Sequence, residues 1–212
     1  MIEILFENDD FIVCVKPVGV QSQNDGAEDM VKLLNAQTGS PVFPVHRLDT
    51  VTGGSMVFAK NSKTAADLSR QIEERCFKKI YLAVLSGIPA EQSGTLVDLL
   101  FKDSKRNKTF VVDRERKGVK KASLEYEILD TAEEKCLVRV LLHTGRTHQI
   151  RVQFASRKLP LVGDGKYGSK DNRCDTALWS EQISFFYKGE KLIYKSCPDF
   201  KIYPWNLFNV YE

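Results

Sequence analysis

Two short segments concentrate the side chains able to do chemistry: His46-Arg47-Leu48-Asp49-Thr50-Val51-Thr52-Gly53-Gly54, and Thr144-Gly145-Arg146-Thr147-His148-Gln149-Ile150-Arg151. The first offers a carboxylate beside an arginine and a histidine. The second offers two arginines and a histidine at what reads as a helix start. A carboxylate of the first segment and a guanidinium of the second could pair between the segments. Taken alone, an Asp and an Arg at strand or helix ends are more often a surface pair or a cap than a catalytic site. Metal chemistry is poorly served: His46 and His148 lack H-x-x-x-H or H-x-E spacing, and no Asp/Glu cluster completes a ligand set.

The elements that must position these segments follow from hydrophobic period and turn residues. Ile2 to Phe6 and Phe11 to Val15 read as a hairpin around Glu7-Asn8-Asp9-Asp10, closed by Lys16-Pro17-Val18-Gly19. A short helix is expected over Asp29 to Gln37, stopped by Gly39, with extended chain resuming at Val42. Ser55 to Ala59 reads as a strand, and Ser62 as the N-cap of a helix through Arg75 carrying Ala65, Leu68 and Ile72 on one face. Strands are expected at Ile80 to Leu85, Thr95 to Leu100, Thr109 to Val112, Ala122 to Leu129 and Cys136 to His143. Thr147 is then expected to cap a helix from His148 to Ser156, followed by a glycine-containing loop and an aromatic-rich tail. Sequential hairpins with interspersed helices indicate an α+β fold around a largely antiparallel or mixed sheet.

The bulk composition narrows the classes. With 212 residues, 42% of them hydrophobic, one compact domain spanning 1–212 is the simplest expectation. The acidic N-terminus lacks a signal-peptide pattern, and no apolar run approaches the roughly 20 residues of a bilayer span, so a cytoplasmic protein with no membrane partner is expected. Five widely spaced cysteines, none in a C-x-x-C pair, read as reduced thiols. Glycine-rich phosphate-binding signatures are absent, so no nucleotide cofactor is expected. The net charge of +3 identifies no nucleic-acid binder, but from Lys102 to Lys121 nine basic residues face three acidic ones. Phosphate contact and a merely solvated basic hairpin fit that stretch about equally.

The string His46-Arg47-Leu48-Asp49-x-x-Thr52-x-Gly54, followed by Ala59-Lys60, closely resembles the signature of the RluA-type pseudouridine synthases. Ile4 through Gly19 is similar to that family's opening motif, Lys79-Ile80-Tyr81-Leu82-Ala83-Val84 to its tyrosine strand, and Thr144 to Val152 with Val162 through Gly168 to its last motifs. Together these cover most of the chain in the family's order. The resemblance implies the family's catalytic fold and isomerisation of uridine in structured tRNA or rRNA, without cofactor or metal. It assigns Asp49 as the nucleophile, toward base or sugar, Tyr81 as the base-stacking tyrosine and Arg151, favoured over Arg146, as the cation that pairs with Asp49. A uridine in a stem must be flipped out at a cost of a few kcal/mol; Arg47 matches the residue that enters the vacated stack. His46, Arg146, Thr147, His148 and Gln149 are then expected near the substrate. The family usually has Ser where Gly53 stands, and commonly His where Gln153 and Trp179 stand. The motifs begin near residue 1, so a short member without the S4-type RNA-binding domain is expected; a monomer is the simple expectation. The competing readings are a catalytically inactive RNA-binding or chaperone protein of the same fold, and a metal-dependent phosphodiesterase using His46, Asp49 and His148.

Overall fold

The computed structural model describes residues 1–23, 28–171 and 173–209. In chain order the strands are β1 (Glu3–Glu7), β2 (Phe11–Lys16), β3 (Phe43–Pro44), β4 (Gly53–Ala59), β5 (Lys78–Leu85), β6 (Ser93–Asp103), β7 (Lys108–Val112), β8 (Val119–Ala132), β9 (Lys135–Leu142), β10 (Leu178–Tyr187) and β11 (Glu190–Lys195). The helices are α1 (Met30–Thr38), α2 (Ser62–Glu73) and α3 (Gln149–Ala155), so the fold is α+β. The chain divides into two compact units, Met1–Ile80 with Trp179–Pro198 and Tyr81–Leu178 with Asp199–Glu212. Among the described residues no helix is long and apolar enough to cross a membrane.

In the first unit the strands run in the order β1-β2-β4-β10, with β3 on β4 and β11 on β10. β2 pairs antiparallel with both β1 and β4, whereas β4 and β10 are parallel. Every residue of β2 and of β4 is buried, which explains why Phe11 to Val15 and Met56 to Ala59 are continuous apolar runs and not alternation. Phe11, Val13, Val57, Leu68, Phe77, Ile183 and Phe185 form one core, joining β2, β4, β10 and α2. Asp29 caps α1 by accepting from the Lys32 N–H at 2.9 Å, and Gly39 ends it in the left-handed region.

The second unit orders its strands β5-β9-β8-β6-β7. β6 pairs antiparallel with β7 and β8, and β8 with β9. α3 lies against β6 and β7, where Val152 packs with Leu100, Ala122 and Tyr167.

The caps and bounds of two helices differ from expectation, and the tail holds a hairpin that was not expected. α2 is capped by Asn61, whose side chain accepts from the Thr64 N–H at 2.9 Å, and it stops at Glu73. α3 begins at Gln149, and its N-cap is His148 in the left-handed region (φ 53°) with no side-chain cap bond, so Thr147 does not cap it. The aromatic tail contains the antiparallel β10–β11 hairpin, turned by Lys188 and Gly189 at φ 50° and 86°. That two-residue glycine turn is the signal the sequence carried for it.

Candidate active site

Asp49 sits half-buried in the loop between β3 and β4, and the backbone around it is fixed from below. The buried Ser22 hydroxyl donates to the Leu48 carbonyl at 2.9 Å and accepts from the Leu48 N–H at 3.0 Å. The Thr50 carbonyl accepts from the Gly19 N–H at 2.8 Å, and the Asp49 carbonyl from the Thr52 N–H at 3.0 Å. Lys16 is fully buried, and its Nζ donates to the carbonyls of Pro17 (2.8 Å), Val20 (2.6 Å) and Thr50 (3.3 Å). Burial pushes its ammonium down to about 8, opposed by the charge of Asp49, so a cation remains under the loop at neutral pH. Nothing local in the sequence shows that the Lys16 and Ser22 side chains reach the Asp49 loop, which lies far along the chain.

The two residues before Leu48 diverge. Arg47 is exposed. His46 is buried: its Nε2 accepts from the Val57 N–H at 3.3 Å, and its ring lies 5.5 Å from that of Phe77. Burial, with a smaller effect from the Lys79 charge, pushes the imidazole down to about 3 from its ordinary 6.5. The unfolded chain therefore binds a proton between these values that the folded chain refuses, so this group lowers stability as pH falls through the window. His46→Gln, which cannot titrate, is expected to make the pH dependence shallower by about 1.4 kcal/mol per pH unit in that range. Urea unfolding across mildly acidic pH checks this; parallel curves for variant and wild type would refute it.

In the second unit, Arg151 on α3 is held by a bidentate ion pair with Asp164, Nε to Oδ2 at 2.7 Å and Nη2 to Oδ1 at 2.8 Å. The two side chains are 5% and 1% exposed, which makes this a wholly desolvated pair. The guanidinium carbon lies 5.1 Å from the centre of the Tyr167 ring. The Tyr167 hydroxyl in turn accepts from the Thr109 N–H at 2.9 Å and lies 2.8 Å from His148 Nδ1. One tyrosine thus fixes both the arginine and the histidine of the second segment. In the sequence Asp164 and Tyr167 are members of a motif and no more; a buried carboxylate stays ionised only with a cation or donors beside it, and only the fold says which.

The remaining residues of that segment differ in exposure. Gln149 is buried, accepting from Thr144 Oγ1 at 2.8 Å and the Arg146 N–H at 3.0 Å while donating to the Ser123 carbonyl at 3.1 Å. Arg146 is exposed and its Nε donates to the Lys121 carbonyl at 3.1 Å. Thr147 and His148 are half-buried, and Tyr81 is buried on β5. Of the nine basic residues between Lys102 and Lys121, all but Lys108 are exposed; Lys108 lies 5.1 Å from the Tyr167 ring centre. Among the described residues no group of three or more His, Cys, Asp or Glu is placed to hold a metal ion.

Two of the departures from the family's pattern explain each other. A Cβ on Gly53 would come within 2.4 Å of Trp179 Cζ3. The indole cannot swing aside cheaply, since its Nε1 donates to both the carbonyl and the hydroxyl of Ser196 at 3.1 Å. Trp179 therefore requires glycine at 53. Gly53→Ser is expected to cost on the order of 2 kcal/mol with Trp179 present and distinctly less with Trp179→His, a coupling of about 1 kcal/mol. Thermal unfolding of the four variants measures it; strict additivity would refute the coupling. The third departure, Gln153, donates to Asp98 Oδ2 at 2.7 Å, which also pairs with Arg157 at 2.9 Å.

Residues 10–156 match the family described as RNA pseudouridylate synthase. An uncharacterised RNA pseudouridine synthase of Mycoplasma pneumoniae is 32% identical over 193 residues, covering 88% of this chain and 62% of the relative. The ribosomal large subunit pseudouridine synthase D of Borreliella burgdorferi is 32% identical over 184 residues, covering 80% of this chain and 56% of the relative. The chain thus spans about six tenths of the length of these relatives. In fold, it is similar to human RNA pseudouridylate synthase domain containing 1, with a TM-score of 0.83 at 23% identity over 97% of this chain and 86% of the other.

Proposed function

This chain belongs to the RNA pseudouridylate synthase family, and from that premise we propose that it isomerises uridine to pseudouridine within structured RNA. Asp49 is the nucleophile: it attacks the target uridine, the bond between base and sugar breaks, the base turns, and it rejoins through carbon 5 with loss of the proton there. The observation that carries this reading is the Asp49 loop. Its backbone is pinned at Leu48 and Thr50 by buried groups, so the segment that carries the carboxylate is in place before substrate arrives.

Arg151 is assigned to keep Asp49 ionised. It is preferred to Arg146 because it is buried and oriented by Asp164, whereas Arg146 is exposed and bound to a backbone carbonyl. Tyr81 stacks on the flipped base, and the exposed Arg47 enters the vacated stack, where a guanidinium plane suits both base and phosphate. Arg146, Thr147 and His148 meet the substrate, the buried His46 stands behind the substrate surface, and the buried Gln149 shapes the segment that carries it. The exposed basic stretch from Lys102 to Lys121 supplies phosphate contacts. The two compact units are read as one catalytic domain acting in the cytoplasm, with no cofactor or metal. The large-subunit relative favours rRNA as substrate, with tRNA as the alternative.

The test is release of tritium from carbon 5 of uracil in unmodified rRNA and tRNA transcripts, in EDTA. Release from one of them is expected. Tight binding without release from any RNA would favour a catalytically silent RNA-binding protein instead.

A further inference from the structure

β5 carries Lys79 and Tyr81 two residues apart, the spacing at which strand side chains share a face. Lys79 is half-buried, with its Nζ 5.9 Å from the centre of the Phe77 ring, and burial lowers its pKa. Among the described residues no carboxylate pairs with it. An enclosed ammonium without a counter-charge is costly, and most proteins avoid one.

Its neighbour is His46, whose charge balance it influences. His46 Nε2 accepts a backbone N–H, so the proton of the neutral ring must lie on Nδ1. That buried Nδ1 finds no hydrogen-bond partner among the described residues. Two donors, one cationic and one neutral, therefore stand together without an acceptor, beside the exposed Arg47. The imidazole is shielded while Lys79 is part-exposed, so a ligand is met by the lysine with His46 behind it.

We propose that Lys79, backed by His46, is a phosphate subsite that takes a backbone phosphodiester of the RNA next to the flipped uridine. This deepens the proposed function and rests on it. An anion there supplies the counter-charge that Lys79 lacks, and a phosphate of the substrate strand is at hand at each turnover. The enclosure that makes the bare ammonium costly also strengthens the charge-assisted bond once the phosphate is seated.

The experiment compares wild type, Lys79→Met and Lys79→Arg for binding to an unmodified large-subunit rRNA transcript over a range of salt, with thermal unfolding of each. Lys79→Met is expected to bind about tenfold more weakly, the worth of one charge-assisted bond. Its salt slope should fall by about 0.7–0.9, one released counterion, and Lys79→Arg should restore the slope. Removing an unpaired enclosed charge should leave the unfolding midpoint of Lys79→Met unchanged or raised, which a structural role would not do. Wild-type affinity and salt slope in Lys79→Met would overturn the subsite while leaving the enzyme assignment intact. Competition by inorganic phosphate with no change in the RNA salt slope would mark a free-phosphate site and overturn it too. A wild-type chain that binds no RNA would instead remove the reading beneath it.

Discussion

Asp49→Asn is expected to lower tritium release by roughly four orders of magnitude while leaving RNA affinity within a few-fold of wild type. The asparagine amide keeps the shape of the side chain but offers no anionic oxygen to attack the uridine. The loop should survive the exchange, because its anchors are Ser22, Gly19, Lys16 and the Thr52 N–H, all of them bound to backbone groups of Leu48, Asp49 and Thr50. Loss of release with intact binding would therefore read directly on chemistry. Comparable turnover by the variant would end the assignment of Asp49, and equal loss of binding and release would mean the carboxylate organises the site and does not attack.

The largest loss of stability is expected from Asp164→Ala. It would take from Arg151, itself 5% exposed, the 1%-exposed carboxylate that holds its guanidinium in two hydrogen bonds. Breaking a buried pair from one side typically costs about 3–5 kcal/mol. Chemical denaturation measures it. The companion variant Arg151→Met with Asp164→Leu removes both charges and should recover most of the stability, because the pair's mutual attraction does little more than offset its desolvation. Activity should stay absent in the double variant. A cost below about 1 kcal/mol for Asp164→Ala would show that Arg151 does not depend on this carboxylate.

Much of the architecture was legible because it is written locally. The β1–β2 hairpin, α1 with its Asp29 cap and Gly39 stop, and the strands of the second unit follow from side-chain period and turn residues that need no distant partner. The misread element ends have a common cause. Asn61 and Ser62 are both competent caps, and only the backbone bend decides which oxygen meets the Thr64 N–H. His148 takes up a left-handed conformation that is unusual for a residue with a side chain, while Tyr167, nineteen residues on, holds its ring. The β10–β11 hairpin was hidden because β10 is buried on both faces for much of its length, which erases the alternation that marks a strand.

The family, the α+β class and the short list of groups able to do chemistry are legible in the sequence, because they depend on residue types at fixed spacings. What each group faces is set by the folded chain alone. It put Lys16 and Ser22 under the Asp49 loop, gave Arg151 to Asp164, turned His46 inward and left Arg47 outside, and set Trp179 against Gly53. Each of these depends on residues brought together from distant parts of the chain or on which way a side chain turns. Desolvation then decides which charges must pair, and no local pattern encodes that.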